Sequence, residues 1–287
     1  MKPLISIIIP TYNRAHVLQR AIDSVIKQSF KNIEIIVVDD GSTDDTKECL
    51  TRFTDTKISY YHQTNGGVCR ARNYGVSKAK GEYLVFLDSD DELKPDYLKD
   101  VNNALVEDAD IVFVGVDLFR GGKLLKVIKS SAPYGKHSQQ GLYLAGSFVV
   151  KRAIFLEAGG YDELLTYGEN TELAIRLSSL LKKKRFIVVS LLNVFQEQEG
   201  RTSNSYTNII NSNEYLLKKH VHYYTANPHP KWLYHNILAL AYAKTNRLEL
   251  AQGHLVQAMK TYPWRMKAYL RYLVISIPFL KKLAYRV

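Results

Sequence analysis

A chain of 287 residues, 46% apolar and 23% charged, is typical of a soluble globular protein and is long enough for one α/β domain with an extension. Two cysteines are too few for a disulfide framework, and no stretch approaches the ~20 apolar residues that span a bilayer, so we expect a cytoplasmic protein. The net charge of +11 belongs to the end of the chain, because residues 1–205 carry 27 basic and 26 acidic side chains whereas residues 206–287 carry 12 and 2.

Apolar runs short enough to be buried strands occupy residues 4–9, 33–38, 58–62 and 83–87. Segments that read as helices separate them, and they end near residues 28, 53 and 78. Ser42, with Asp45 three residues on, resembles a capping box for the second of these helices. This alternation with short connections predicts an α/β fold, with a mostly parallel, Rossmann-like sheet flanked by helices.

Polar clusters follow three of these strands directly, at residues 10–13, 39–42 and 88–91. Because parallel strands end at one edge of such a sheet, we expect the clusters to meet there around a ligand. Asp88 and Asp90 share one side of an extended chain, and their repulsion favours a divalent cation, Mn²⁺ or Mg²⁺, that carries the phosphates of a ligand. The alternative is a solvated acidic turn before a helix.

Further strands are predicted at residues 110–116, 146–150 and 186–194, with a hairpin over 118–128 and a polar loop over 130–140. Four earlier motifs, in order, carry a resemblance to a known family. They read Ile8-Ile9-Pro10-Thr11-Tyr12-Asn13, Val37-Val38-Asp39-Asp40-Gly41-Ser42-Thr43-Asp44, Ala71-Arg72-Asn73-Tyr74-Gly75 and Phe86-Leu87-Asp88-Ser89-Asp90-Asp91.

Over about residues 1–205 the chain resembles the family-2 inverting glycosyltransferases, which are nucleotide-sugar-dependent enzymes with the GT-A fold. The resemblance implies a set of donor-binding and metal-binding residues. They are Pro10, Tyr12, Asp39 and Asp40 for the nucleoside, Arg72 near the phosphates or ribose, Asp88 and Ser89 for the donor, and Asp88 with Asp90 for the metal.

The family's catalytic motif corresponds here to residues 167–173, and it usually has an Asp at position 170 that acts as general base. This chain has Asn170, which cannot take a proton, so we expect Glu169 to be the base and Asn170 to orient the acceptor or the carboxylate. Glu172, about one helical turn on, is the alternative base, unless both carboxylates only satisfy helix N–H groups. Gln198 stands where the family often has a His, and Arg201 would replace its charge.

Residues 206–287 read as a basic helical extension. The window 232–265 has the spacing of one tetratricopeptide hairpin, and residues 264–287 have the composition of an interfacial amphipathic helix. Two readings of that tail remain open, namely contact with an anionic membrane surface and a packed cap with a solvated basic face. The hairpin is expected to pack on neighbouring helices, on the catalytic domain or on a second subunit, which would make a homodimer.

These features predict an inverting transferase that moves a sugar from a nucleotide-sugar, a UDP-sugar by default, to a carbohydrate or lipid-linked acceptor hydroxyl. The basic tail favours surface polysaccharide or glycolipid synthesis at the inner face of a bacterial membrane. The alternative, suggested by Asn170 and Gln198, is a catalytically impaired scaffold that still binds a nucleotide-sugar. Nucleic acid is not an expected partner, because the tail contains no recognisable nucleic-acid module.

Overall fold

The computed structural model of the protein describes residues 4–53, 55–105, 108–130, 143–196 and 205–277. These residues form two compact units. The first comprises the described residues within 4–164 and 169–196, and the second comprises 165–168 and 205–277. Gln198, Arg201, most of the predicted polar loop 130–140 and the last ten residues of the tail lie outside the described part of the chain.

The described residues of the first unit contain nine strands and six helices. The strands are β1 (Ile5–Thr11), β2 (Ile33–Asp39), β3 (Ile58–His62), β4 (Tyr83–Phe86), β5 (Glu92–Leu93), β6 (Ile111–Arg120), β7 (Lys123–Ile128), β8 (Phe148–Lys151) and β9 (Lys184–Phe195). The helices are α1 (Ala15–Ile26), α2 (Thr46–Thr51), α3 (Val68–Lys78), α4 (Tyr97–Leu105), α5 (Arg152–Glu157) and α6 (Glu169–Leu177).

All nine strands belong to one sheet, in the order β3-β2-β1-β4-β8-β6-β9-β5, with β7 paired to β6. The four strands from β3 to β4 are parallel, as predicted, and β6 and β9 are also parallel. The pairs β4–β8, β6–β8, β6–β7 and β5–β9 are antiparallel. The predicted α/β sheet with flanking helices is therefore confirmed, and its parallel part is confined to these pairs, so that the sheet as a whole is mixed.

The first strand shows why its sequence is almost continuously apolar. Every residue of β1 is buried, and its side chains alternate between two hydrophobic clusters on opposite faces of the sheet. Ile7 packs in the cluster that contains α1, and Ile8 packs in the cluster that contains α3. A strand covered on both faces needs an apolar residue at nearly every position.

Two details of the backbone fix where the polar clusters lie. Thr11 pairs with Asp39 and Ile8 pairs with Phe86, so the residues that follow β1, β2 and β4 leave the sheet at one edge. Gly75 brings α3 close to β1, because a Cβ atom there would lie 2.6 Å from Cγ2 of Ile8. The helix that carries Arg72 is thus seated directly on the central strand.

The predicted capping box is wrong. Helix α2 begins at Thr46, and Asp45, which precedes it, makes no side-chain capping hydrogen bond. Asp44 accepts from the Thr46 backbone N–H at 3.2 Å, and Ser42 Oγ accepts from the Asn13 backbone N–H at 2.9 Å. Ser42 does not cap the helix because its hydroxyl is used in a contact between two loops, the one after β2 and the one after β1.

The described residues of the second unit form a helical array made of α7 (Tyr206–Lys219), α8 (Val221–Ala226), α9 (Pro228–Lys244), α10 (Leu248–Thr261) and α11 (Met266–Ser276). Helices α9 and α10 cover the window with tetratricopeptide spacing, and their facing residues Leu238, Ala239, Tyr242, Ala251, Leu255 and Ala258 are buried. The same cluster includes Ile210 of α7 and Ala268 of α11, so the hairpin packs between those two helices. None of the helices described here is long and apolar enough to cross a bilayer.

Candidate active site

A buried arginine joins two of the predicted site carboxylates. Arg72 of α3 is only 2% exposed, and its guanidinium Nη2 lies 2.7 Å from Asp88 Oδ1 while Nη1 lies 3.2 Å from Glu169 Oε1. Its central carbon lies 5.0 Å from the centroid of the Tyr161 ring. Burial alone would lower the pKa of Arg72, but the carboxylates of Asp88 and Glu169 raise it above its ordinary value. Arg72 is therefore a fixed positive charge between Asp88 after β4 and Glu169 at the start of α6.

Glu169 is held by a second set of contacts. Its Oε1 also accepts from Asn170 Nδ2 at 3.2 Å, and Asn170 Oδ1 accepts from the Tyr161 hydroxyl at 2.9 Å. Burial raises the pKa of Tyr161, so this hydroxyl keeps its proton and remains a donor. The Glu169 side chain is 17% exposed, which leaves part of it open to solvent. The residue at the position of the family base thus links Glu169 to a buried tyrosine.

Asn73 explains how Tyr161 reaches this site from another part of the chain. Its side chain accepts from the Tyr161 backbone N–H and donates to the Tyr161 carbonyl, both at 2.9 Å. Two adjacent residues of α3 therefore act together, because Asn73 fixes the backbone of Tyr161 and Arg72 lies over its ring. Tyr161 was not among the predicted site residues, and its only signal in the sequence is its place after Gly159-Gly160.

Glu172 lies in a different environment from Glu169. It has no exposed surface, and both of its carboxylate oxygens accept from Arg176 Nε at 2.9 Å. Arg176 also donates to the carbonyl of Ala158, which follows α5. These contacts fasten α6 to the end of α5 and give Glu172 a packing role.

The predicted nucleoside residues lie at the sheet edge, and two of them are already hydrogen-bonded. Asp39 is 2% exposed, and its carboxylate accepts from the Ser42 N–H and from the Tyr60 hydroxyl, both at 2.8 Å. Burial and the Asp39 carboxylate both raise the pKa of Tyr60, which keeps that hydroxyl a donor. Pro10 is buried at the end of β1, whereas Tyr12 is 48% exposed and offers its ring to a ligand.

Asp40 organises the loop that opens α3. One of its oxygens accepts from Gln63 Nε2 at 2.7 Å and the Gly66 N–H at 2.9 Å, and the other accepts from the Gly67 N–H at 2.7 Å. Its own N–H donates to the carbonyl of Thr11. The residue ties the ends of β1, β2 and β3 to the start of α3, and it is 4% exposed. Gln63 and Tyr60 were missed because nothing in their spacing pairs them with Asp39 or Asp40.

Three carboxylates form a compact acidic group after β4. Ligand oxygens of Asp88, Asp90 and Asp91 all lie within 4.8 Å of one another. The sequence pointed to the first two, and the structure adds Asp91, which is buried and accepts from the Phe195 backbone N–H at 3.0 Å. Ser89, between them, is 7% exposed. Hard carboxylate oxygens at this separation fit a Mg²⁺ or Mn²⁺ ion.

An arginine from α1 supports the same acidic turn. Arg20 donates to the carbonyl of Asp90, and its guanidinium carbon lies 3.9 Å from the centroid of the Phe195 ring. Phe195 is also the residue whose N–H reaches Asp91. The end of β9 and helix α1 therefore hold the turn from two sides, in addition to the bond within the turn from the Asp91 N–H to the Asp88 carbonyl at 3.0 Å.

Comparison with known proteins places the chain in a family. A family model described as glycosyl transferase family 2 matches residues 6–161. An uncharacterized glycosyltransferase of Rickettsia typhi is 33% identical over 229 residues, which cover 75% of this chain and 70% of that protein. Glycosyltransferase GlyG of Streptococcus pneumoniae is 42% identical over 116 residues, or 39% of this chain and 38% of that protein. The chain thus spans well under half of some relatives.

Among solved structures, the crystal structure of S. aureus TarS residues 1–349 in complex with UDP-GlcNAc resembles the chain with a TM-score of 0.65 at 18% identity. The likeness covers 99% of this chain and 89% of that one, and it confirms the predicted GT-A fold. The family model matches more than half of the chain, and the motifs it matches surround the acidic turn and Arg72 described above. The chain therefore belongs to glycosyl transferase family 2.

Proposed function

We propose that this glycosyltransferase moves a sugar from a UDP-sugar to an acceptor hydroxyl with inversion at the anomeric carbon. The observation that carries the proposal is the bridge made by Arg72, which connects the carboxylate group suited to a cation with the carboxylate suited to a base. The fold neighbour with bound UDP-GlcNAc supports the choice of uridine. We further propose residues 1–205 as the catalytic domain and residues 206–287 as a helical extension.

In this proposal the donor lies at the edge where β1, β2 and β4 end. The exposed ring of Tyr12 stacks on the base, and Pro10 with the loops held by Asp39 and Asp40 shapes the nucleoside pocket. Because both carboxylates already accept from protein donors, their main contribution is to hold those loops, with any direct contact to the base using their remaining lone pairs. Ser89, beside the acidic group, faces the donor phosphates and ribose.

Asp88, Asp90 and Asp91 are the residues that would hold Mn²⁺ or Mg²⁺. A divalent ion there supplies positive charge to the departing diphosphate. The sequence suggested that Arg72 lies near the phosphates, but its two carboxylate partners and its burial favour a different role. We propose that Arg72 keeps Asp88 and Glu169 at a fixed separation, so that the donor end and the acceptor end of the site keep their geometry.

Glu169 is the proposed general base, and Asn170 is the residue that orients it. A carboxylate that is partly exposed and hydrogen-bonded on one oxygen can present its other oxygen to an acceptor hydroxyl. We prefer Glu169 to Glu172 because Glu172 has no exposed surface and faces Arg176. Removal of the acceptor proton opposite the leaving diphosphate would convert an α-linked donor into a β-linked product.

The test replaces Glu169 with Gln in the full chain. We expect transfer to fall by about 10³-fold, within the range for loss of a general base, while binding of UDP-sugar in the presence of Mn²⁺ is kept. The matched control is Glu172→Gln, which is expected to lower stability more than the rate per folded molecule. NMR of the product in a single turnover reports the anomeric linkage, and a retained α-linkage would exclude inversion.

A second candidate function is a nucleotide-sugar-binding scaffold with impaired catalysis. It is favoured by Asn170 at the family's base position and by the engagement of Glu169 Oε1 with both Arg72 and Asn170. A scaffold would bind UDP-sugar and show no transfer that depends on Glu169. Equal background hydrolysis by the wild type and Glu169→Gln, with donor binding intact in both, would favour this reading over the enzyme.

We also propose a setting for the reaction. The acceptor is a carbohydrate or a lipid-linked sugar of surface polysaccharide or glycolipid synthesis, and the enzyme meets it at the inner face of a bacterial membrane. The charge of residues 206–287, 12 basic against 2 acidic, supports a negatively charged surface as partner. The competing proposal is that the extension binds a second copy of the chain and forms a homodimer.

A further inference from the structure

Helix α11 is apolar on two opposite faces. One face carries Ala268 and Ile275, which are buried in the hydrophobic cluster of the second unit together with residues of α9 and α10. A helix that only closed this array would need a single apolar face, with polar residues on the other.

The opposite face is also apolar, and it is exposed. Met266, Leu270 and Leu273 are 63%, 58% and 56% exposed, and at ~100° per residue they fall within about 60° of one another. Ile277, which directly follows the helix, is 43% exposed. The centre of this stripe lies about half a turn from Ala268 and Ile275. Trp264, just before the helix, is 88% exposed. We call these five residues the α11 stripe.

The charged residues near the α11 stripe along the chain are basic. The sequence has no Asp or Glu after Glu249, whereas Lys260 and Lys267 are both exposed close to the stripe along the chain. Two nearby arginines have contacts within the unit, because Arg265 lies over the rings of Trp232 and Tyr262 and Arg271 donates to Asn236 Oδ1 at 3.1 Å. Among the described residues close to the stripe along the chain, Lys260 and Lys267 are therefore the exposed positive charges.

We propose that the α11 stripe docks on an anionic bilayer surface, with the helix lying in the plane of the headgroups. Leucine and tryptophan enter the boundary of the acyl region, and the lysines contact negative headgroups, a combination typical of interfacial helices. A second copy of the chain is a poorer occupant, because a symmetric contact would bring the lysines of both copies together with no acid to pair them. The inference rests on the membrane setting proposed above and is independent of the proposed chemistry.

The chain carries its own probe of this contact. It has two tryptophans, of which Trp232 is 5% exposed and Trp264 is 88% exposed, so a change in emission on docking comes from Trp264. We expect a blue shift when the full chain is titrated with vesicles of phosphatidylcholine and phosphatidylglycerol in equal amounts, and none with phosphatidylcholine alone. Raising the salt from about 0.1 M to about 0.5 M should weaken the binding by about tenfold, because screening shortens the reach of the lysines.

The deciding variants are two matched pairs of leucines within the second unit. Leu270→Ser with Leu273→Ser removes the middle of the stripe, and we expect at least about tenfold weaker co-sedimentation with the anionic vesicles. Leu233→Ser with Leu250→Ser removes leucines that are 43% and 50% exposed on α9 and α10, and it should change binding by less than about twofold. Circular dichroism and thermal melting establish that both double variants are folded.

Three results would overturn the inference. They are equal binding to neutral and anionic vesicles, equal loss in the two double variants, and a change from dimer to monomer in Leu270→Ser/Leu273→Ser without a change in vesicle binding. The last result would assign the stripe to a second copy. An assay of transfer to a water-soluble acceptor without vesicles separates the two proposals. A protein that transfers sugar normally but does not bind vesicles contradicts only the docking surface. A protein that binds vesicles but does not transfer sugar contradicts only the proposed chemistry.

Discussion

The two units of the chain differ in where their charged side chains lie. The first buries ionised groups and gives each one an oppositely charged partner or a set of N–H and O–H donors, as for Arg72, Asp40 and Glu172. The second holds its buried histidine, His235, neutral because burial lowers its pKa, and it exposes Lys260 and Lys267 near apolar side chains along the chain. Buried pairs are costly to assemble and hold their geometry well, which suits a reaction. Exposed lysine with apolar surface suits a contact that forms and breaks.

The largest effect that would test this comparison is expected from Arg72→Met. It leaves Asp88 and Glu169 without their shared cation, so we expect a loss of about 3–5 kcal/mol in the free energy of unfolding and a fall of at least about 10²-fold in transfer by the folded fraction. Urea denaturation and initial rates measure the two effects. Arg72→Lys, which keeps the charge but not the two-pronged geometry, should recover part of each.

The second prediction uses the other buried ion pair of helix α6. Arg176→Met removes the arginine that is paired with the fully buried Glu172, and it should also cost about 3–5 kcal/mol in the free energy of unfolding. Because this pair only fastens α6 to α5, transfer by the folded fraction should stay within about threefold of the wild type. A loss of transfer as large as that in Arg72→Met would show that the two pairs do not differ in role.

The sequence foretold the parts of this site that lie close together in the chain. Asp88 and Asp90 follow one strand and were placed together by their spacing. The pair of Glu172 with Arg176 was not predicted, although their four-residue interval is that of a helical ion pair. The bonds of Asp91 to Phe195 and of Asn73 to Tyr161 join residues 104 and 88 positions apart. No local pattern specifies such contacts, because they follow from how β9 and the turn after α5 fold back onto the sheet.

The third prediction concerns the neutral interior of the second unit. Burial, the nearby His254 and Lys231 lower the pKa of His235 from its ordinary 6.5 to about 4, and His254 Nδ1 lies 3.0 Å from His235 Nδ1. Since the folded-state pKa is lower than the unfolded one, the stabilisation is complete above pH 6.5 and is lost as the pH falls toward 4. We expect up to about 3 kcal/mol of pH-dependent stability from this residue.

Urea denaturation at a series of pH values checks this expectation. His235→Asn should flatten the acid side of the stability profile, whereas His222→Asn, at an exposed position of the same unit, should leave it unchanged. Glu214, 3.9 Å from His254 Nε2, is the acidic group that faces the pair. If the stability of His235→Asn fell with decreasing pH as steeply as that of the wild type, the neutral buried His235 would not be the source of the pH dependence.

The smallest expected effect comes from Tyr60→Phe. It removes one of the two donors to the buried Asp39 carboxylate, which should cost about 1–3 kcal/mol in stability and weaken UDP-sugar binding more than it slows the chemical step. Tyr61→Phe is the matched control, because Tyr61 lies on the other face of β3 and packs edge-on against Tyr74. Equal effects in the two variants would mean that the hydrogen bond from Tyr60 to Asp39 does not itself contribute to stability or donor binding.

Because α3 packs so closely on β1, a substitution beneath the site can disturb the site itself. Gly75 is not one of the residues predicted to bind the donor or the metal. Because it has no Cβ atom, α3 can lie close to β1, and this determines how far Arg72 and Asn73 stand from the sheet. A methyl group added at this position would force Ile8 or the helix that carries Arg72 and Asn73 to move. Substitutions that abolish activity are therefore to be sought beneath the site as well as within it.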